Sequence, residues 1–196
     1  LQLKAITTVW GNVHADYTYT NALRMLEFTN TSDVPVGKDM RPVLGSEDAS
    51  HIHGQDGMGN LSQMLPPVER PSNPLDSVDL LIQTIKENPG LTILATWPLT
   101  NLAAAERKEP GILTQCRYII AMGGASKVGG NVTPVAEFNI WYDSISADLV
   151  VKSCDNLIMI PLDLTTSFVY SPQETETIIW QINHSNKANF LTKLTQ

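Results

Sequence analysis

Two asparagines and a glutamate stand close together in the run Asn131-Val-Thr-Pro-Val-Ala-Glu137-Phe138-Asn139. An amide both donates and accepts while a carboxylate accepts, so this set suits the hydroxyls of a sugar diol. A desolvated site of that kind discriminates strongly against analogues lacking the hydroxyls. The same residue types also cap helices and satisfy turn amides, and spacing leaves both readings open. A second cluster is His51-Ile-His53, which leads into Gly54-Gln-Asp-Gly-Met-Gly59. Alternating histidines can hold a metal from one side of an extended strand. Nothing nearby supplies a third ligand, so the reading preferred here is a mobile loop that covers a substrate with His53 facing it.

Other constellations fail on detail. The loop Met122-Gly-Gly-Ala-Ser-Lys-Val-Gly-Gly-Asn131 has the glycines of an anion cradle. However, Lys127 precedes Val128 rather than Ser or Thr, and no GxGxxG pattern follows a strand, which argues against phosphate binding. No G-x-S-x-G elbow is present, and Ser126 lies in the same loop, so a serine triad has little support. Asp143 and Asp148 pair two carboxylates only superficially, because Asp143 reads as a helix cap.

The elements that must position these residues alternate. Residues 3 to 10 are a β-branched apolar run closed by Gly11-Asn12, which predicts a strand ending in a turn. A helix capped by Asp16 should follow, with Ala22, Leu23, Met25 and Leu26 as its apolar stripe, ending at the turn Asn30 to Asp33. Val34-Pro35-Val36 reads as a short strand. Residues 37 to 75 are rich in Gly, Pro, Ser and Asp with little periodicity, and so form a candidate active-site loop. Asp76 to Glu87 place Val78, Leu81, Ile82 and Ile85 on one helical face, stopped by Asn88-Pro89-Gly90. Then come a strand from Leu91 to Ala95, a helix from Leu99 to Glu109, and a strand from Tyr118 to Met122. A helix around Ser144 to Val151, a strand from Leu157 to Leu162 and a last helix from Lys187 to Thr195 complete the series. The fold class predicted is α/β: a mostly parallel sheet flanked by helices in a Rossmann-like three-layer arrangement, forming one domain. Ligands of such sheets sit beyond the C-terminal strand edges. The loops at Gly11-Asn12, Thr96-Trp97-Pro98, Gly123 to Asn139 and Asp163 onward should therefore converge.

Composition narrows the partners. The 196 residues carry 13 Lys and Arg against 20 Asp and Glu, a formal charge of −7 with no basic cluster, which argues against a nucleic-acid partner. No apolar run is long enough for a membrane span. Cys116 and Cys154 lack the spacing of a zinc site and read as buried thiols. Sequons beginning at Asn30, Asn60, Asn131 and Asn183 would permit glycosylation in a secreted protein, although a cytoplasmic location is the default expectation.

Five ordered blocks resemble the calcium-dependent nucleoside hydrolases, which prefer inosine or uridine: Ala5 to Asn12, His51 to Gly54, Thr96 to Asn101, Met122 to Gly124, and Asn131 to Asn139. The resemblance covers nearly the whole chain. It implies hydrolysis of the N-glycosidic bond of ribonucleosides to ribose and free base, with Ca2+ as cofactor and a homo-oligomeric assembly, dimer or tetramer. It also implies roles residue by residue. Asn12 would lie near the ribose and the catalytic carboxylates. The backbone carbonyl of Thr96 would bind calcium. Met122, Asn131, Glu137 and Asn139 would hold the ribose, with Asn131 and Glu137 toward its 5′-hydroxyl and Asn139 toward the lower hydroxyls. His53 would close over the substrate.

The resemblance also implies what this sequence lacks. The family's Asp-rich motif lies on a strand preceding this chain's first residue, and its His-Asp pair lies beyond Gln196. His184, flanked by Asn183 and Ser185, is no substitute. The expectation is therefore a single nucleoside hydrolase-like domain with an open sheet edge, which is inactive alone. The rival reading is a non-catalytic nucleoside-binding or interaction protein that kept the ribose rim. A Rossmann-type nucleotide enzyme is disfavoured by the missing glycine fingerprint. Purine or pyrimidine preference is not legible in these residues.

Overall fold

The computed structural model describes residues 2–38, 48–69, 73–181 and 186–194. Its strands are all parallel and fall into two three-stranded sheets. The first contains β1 (Ile6–Thr7), β2 (Val36–Lys38) and β3 (Leu75–Asp76), in that order. The second contains β4 (Thr92–Ala95), β5 (Tyr118–Met122) and β6 (Leu157–Ile160), with Ile119 beside Ile93 on one flank and Leu157 on the other. A parallel pair cannot be joined by a tight hairpin, so the chain returns through helices. These include α1 (Ala15–Thr29), α3 (Ser77–Glu87), α4 (Thr100–Lys108) and α6 (Ser144–Ser153).

The α/β architecture is as the alternation predicts, but the single sheet is not. Its two halves, β1-β2-β3 and β4-β5-β6, share no ladder among the described residues. Side chains connect them instead: the Thr8 carbonyl accepts from Ser77 Oγ at 3.1 Å and from Asn101 Nδ2 at 2.7 Å. Strand β1 is also shorter than the apolar run from residue 3 to residue 10, because only Ile6 and Thr7 find register partners, at Val36 and Gly37. The expected Val34–Val36 strand is displaced to Val36–Lys38. Pro35 has no N–H to donate, although its carbonyl still accepts from Ile6 at 3.0 Å. Gly37 is required by close packing, since a Cβ there would lie 2.7 Å from Ser77 Cα at the start of α3.

Caps explain where most helices begin. Asp76 accepts the N–H of Val78 and Asp79 at the head of α3, and Val78, Leu81, Ile82 and Ile85 are buried as their spacing predicts. The head of α1 differs from expectation: His14 is the cap, its Nδ1 accepting from Asp16 N, while Asp16 lies inside the first turn and pairs with Lys38. Asn30 closes α1 in the left-handed conformation. Asp143 caps α6 through Ser146 N at 3.0 Å and accepts from Thr100 Oγ1 at 2.6 Å, tying α6 to α4. Periodicity overlooked the short α2 (Ser50–His53), α5 (Phe138–Tyr142) and α7 (Leu162–Thr165), and also α8 (Pro172–Gln181). The terminal helix α9 (Asn186–Leu194) matches expectation within a residue. No helix of the described residues is long and apolar enough to cross a membrane.

The main core joins α3, α4, α6 and the second sheet through Ile85, Leu102, Ile112, Ile119, Ala121 and Val150. A smaller one joins α1 to β2 through Tyr19, Leu23, Leu26, Val34 and Val36. Both cysteines are buried free thiols in the main core, as expected. Burial, reinforced by neighbouring Cys154, pushes the Cys116 thiol up to about 11. Burial, followed by Glu106 and Asp155, raises Cys154 as well. A raised value means that the folded state favours the neutral thiol. That contribution is complete below the ordinary thiol value of 9.0 and is lost as pH climbs toward about 11. Urea denaturation between those limits should show stability falling with pH, and Cys116→Ala should flatten the slope.

Candidate functional site

The site assembles where β4 and β5 end. Beyond β4 the chain passes through Thr96-Trp97-Pro98, and beyond β5 it leaves Met122 for the glycine loop. Asn139, on the first turn of α5, reaches back to both ends. Its Nδ2 donates toward the Thr96 carbonyl at 3.3 Å, the Met122 carbonyl at 3.1 Å and Met122 Sδ at 3.2 Å. Three acceptors around one nitrogen fix the orientation of the amide, because its oxygen in that place would face only acceptors. Asn139 is buried, and its Oδ1 accepts no hydrogen bond among the described residues.

Glu137 caps α5. Its Oε1 accepts from Asn139 N at 3.0 Å, and its Oε2 accepts from Gly124 N at 3.0 Å and Ile140 N at 3.2 Å. The residue is 2% exposed, so its carboxylate exchanges water for main-chain donors. Asn131 Oδ1 accepts from Phe138 N at 2.8 Å, drawing the start of the loop onto α5. Between them the chain folds tightly: Val132 N donates to the Ala136 carbonyl at 3.1 Å, and a Cβ on Gly130 would run into the Ala136 main chain. The capping role that spacing left open is thus realised in Asn131 and Glu137. Asn139 Oδ1 and Asn131 Nδ2 are the side-chain amide atoms that these bonds leave over.

Asn12 approaches from the other sheet. A Cβ on Gly11 would lie 3.2 Å from the Trp97 ring and 3.4 Å from Pro98, so this turn lies against the loop that follows β4. Asn12 is 8% exposed and its amide makes no hydrogen bond to the described residues. The structure therefore brings Thr96, Met122, Asn131, Glu137 and Asn139 into one bonded group, with the Gly11-Asn12 turn alongside. It does not bring His53 to that group. His51 and His53 lie on α2, not on an extended strand, and helical neighbours two apart do not share a face, so the alternating-ligand arrangement is absent. His53 is exposed at the end of α2, with its imidazole lowered first by partial burial and then by the charge of His51. The loop beyond it is tied to α1 by two hydrogen bonds, from Asn21 Nδ2 and Arg24 Nη1. Among the described residues no group of three or more His, Cys, Asp or Glu could hold a metal ion. His184 lies outside the described residues.

One organising residue was marked in the sequence only as the start of a converging loop. Asp163 Oδ2 and Oδ1 accept from Ser126 N at 2.8 Å and Lys127 N at 2.7 Å, securing the middle of the glycine loop. Those N–H groups hold its carboxyl below the usual range. Its partners are main-chain atoms 37 and 36 positions away, which no local pattern announces. Asp148, the other half of the apparent carboxylate pair, forms an exposed ion pair with Lys152 instead.

Comparison with known proteins places this arrangement. A family model described as inosine-uridine preferring nucleoside hydrolase matches residues 1–196. The inosine-uridine preferring nucleoside hydrolase of Leishmania major is 37% identical over 176 residues, covering 88% of this chain and 55% of that protein. Uridine nucleosidase 1 of Arabidopsis thaliana is 35% identical over 178 residues, covering 89% and 52% respectively. The solved structure of a purine-preferring ribonucleoside hydrolase from Gardnerella vaginalis superposes with a TM-score of 0.88 at 30% identity, covering 99% of this chain and 62% of that one. The chain spans about half the length of the curated relatives it matches.

The cap makes a direct prediction. Glu137→Gln keeps one acceptor oxygen and turns an NH2 group toward a main-chain N–H in either orientation. At least one buried donor then loses its partner, which costs about 1–3 kcal/mol. Denaturant unfolding should record that loss.

Proposed function

From the premise that the chain belongs to the inosine-uridine preferring nucleoside hydrolase family, we propose that the whole protein hydrolyses the N-glycosidic bond of ribonucleosides, giving ribose and free base. The observation that carries this reading is the junction at Asn139, where one buried amide spans the ends of two parallel strands through its nitrogen and keeps its oxygen uncommitted. A ribose seated there meets Asn139 Oδ1 as an acceptor for a lower hydroxyl and Asn131 Nδ2 as a donor near the 5′-hydroxyl. Glu137, committed to three N–H groups, offers its remaining acceptor capacity. Asn12 and Met122 complete the ribose surface in this assignment, and His53, at the end of α2, is assigned to close over the substrate.

Cleavage develops positive charge on the ribosyl ring, so the site must stabilise that charge, deliver water and let the base depart. This chain's contribution is orientation: neutral amides and a held carboxylate fix the ribose hydroxyls without adding positive charge nearby. Calcium belongs to the same proposal. The Thr96 carbonyl is a hard oxygen of the kind that ion prefers, and a bound cation orients and acidifies water. The described residues gather no carboxylates around that carbonyl, so they do not by themselves form a complete calcium site. A dimeric or tetrameric assembly is part of the same reading, and the exposed Phe168, Val169 and Tyr170 offer apolar surface for it.

Full-length protein incubated with inosine or uridine should release reducing sugar, and a chelator should suppress the release until calcium is restored. Asn139→Ala should lower kcat/KM on the order of a hundredfold, since it removes a hydroxyl contact and unpairs two carbonyls. Absence of ribose release from every ribonucleoside would refute the assignment, and turnover undiminished after rigorous metal removal would refute the calcium part alone.

A further inference from the structure

The loop from Gly54 to Ser62 is organised about one carboxylate. Asp56 Oδ1 accepts from Met58 N at 2.9 Å and Asn60 N at 2.8 Å, while Oδ2 accepts from Ser62 N at 2.9 Å. Two bonds fasten this turn to α1: Asn21 Nδ2 donates to the Asp56 carbonyl at 2.7 Å, and Arg24 Nη1 donates to the Ser62 carbonyl at 2.9 Å. Gly57 has φ +73°, and a Cβ there would come within 2.6 Å of Val13 Cγ2, so the loop rests directly on the residue following Asn12. Gly59 N reaches back to the His53 carbonyl at 2.8 Å, coupling the loop to the end of α2.

Packing does not account for this order, because no residue from His51 to Met64 is buried. A segment without buried apolar anchors keeps one shape only through its polar bonds. Burial alone would raise the Asp56 carboxyl, but hydrogen bonds from Ser62, Met58 and Asn60 outweigh it and hold the group below the usual range. The carboxylate form is therefore the one the loop is built around.

We propose that Asp56 is a positioning residue that holds the loop from His53 to Ser62 against Val13, beside the Asn12 corner of the site, so that nucleoside affinity depends on this one carboxylate. The proposal rests on the nucleoside hydrolase reading for its ligand. Asp56 touches no substrate in this account; it acts through the main chain of the loop.

Two variants of the full-length protein grade the effect. Asp56→Asn can keep the Oδ1 bonds while losing the one to Ser62, whereas Asp56→Ala loses all three. Amide hydrogen exchange should quicken at Ser62 in the first variant, and at Met58, Asn60 and Ser62 in the second, with α3 and β5 unchanged. With inosine as substrate, KM should rise about tenfold in Asp56→Ala, less in Asp56→Asn, while kcat stays within about threefold. A general loss of structure would instead lower the active fraction, reducing apparent kcat at constant KM. Faster exchange with an unchanged KM would overturn the proposal, as would unchanged exchange in both variants. If the wild-type protein releases no ribose, the functional reading fails separately, and calorimetric titration with inosine then decides: affinity weakened in the same graded order supports the positioning role, and no difference between variants overturns it.

Discussion

A parallel strand that has run past its last partner leaves carbonyl groups with no ladder to accept into, and inside a protein such groups must find a donor elsewhere. At the ends of β4 and β5 that donor is the Asn139 amide, shared between the Thr96 and Met122 carbonyls. Much of the site follows from this bond. It sets α5 across the two strands, and α5 requires a cap, which is Glu137. The second oxygen of Glu137 holds Gly124, the first bend of the glycine loop, whose middle Asp163 secures. Each link uses a side chain on a main-chain group, and the apolar face of α5, with Tyr142 fully buried and Ile140 packed on the main core, seats the cluster.

The same economy would let structure and the proposed ribose binding occupy the same residues. A side chain fully committed to capping could not greet a ligand, and one fully committed to a ligand would leave a loop end unsatisfied. Asn131 divides its amide, with the oxygen taken by Phe138 N and the nitrogen left over. Asn139 divides its amide the opposite way. The choice between capping and hydroxyl binding that spacing posed is therefore not a choice between exclusive roles. Preorganisation of this sort would matter for the proposed reaction, whose transition state differs from its substrate chiefly in charge and ring shape, because donors already in place need no rearrangement as the charge appears.

Legibility in the sequence followed the range of the interaction. Helix α3 was readable because its apolar stripe and its Asp76 cap are local signals, and Tyr118–Met122 was readable because a buried strand must be continuously apolar. Helix α5 was not, since five residues carry no periodicity and a glutamate is an uncommon cap. The His14 cap of α1 was hidden behind the more conventional Asp16. The division of the sheet was hidden as well, because alternating elements specify crossovers but not which strands share a ladder. Within the site, the residue types at Asn131, Glu137 and Asn139 indicated polar recognition, yet their distribution between turn and ligand required geometry. The bonding roles of Asp56 and Asp163 left no trace, as their partners are anonymous N–H groups of a folded main chain.

Strand β4 has a further consequence for behaviour in solution. It is an outer strand among the described residues, and Leu94 at its middle is 70% exposed. Outer strands in natural proteins are usually guarded by a lysine, a proline or a bulge that spoils the approach of a foreign strand. Thr92-Ile-Leu-Ala95 has none of these. Among the described residues that flank therefore presents four uncharged side chains and a row of main-chain groups to whatever packs against it.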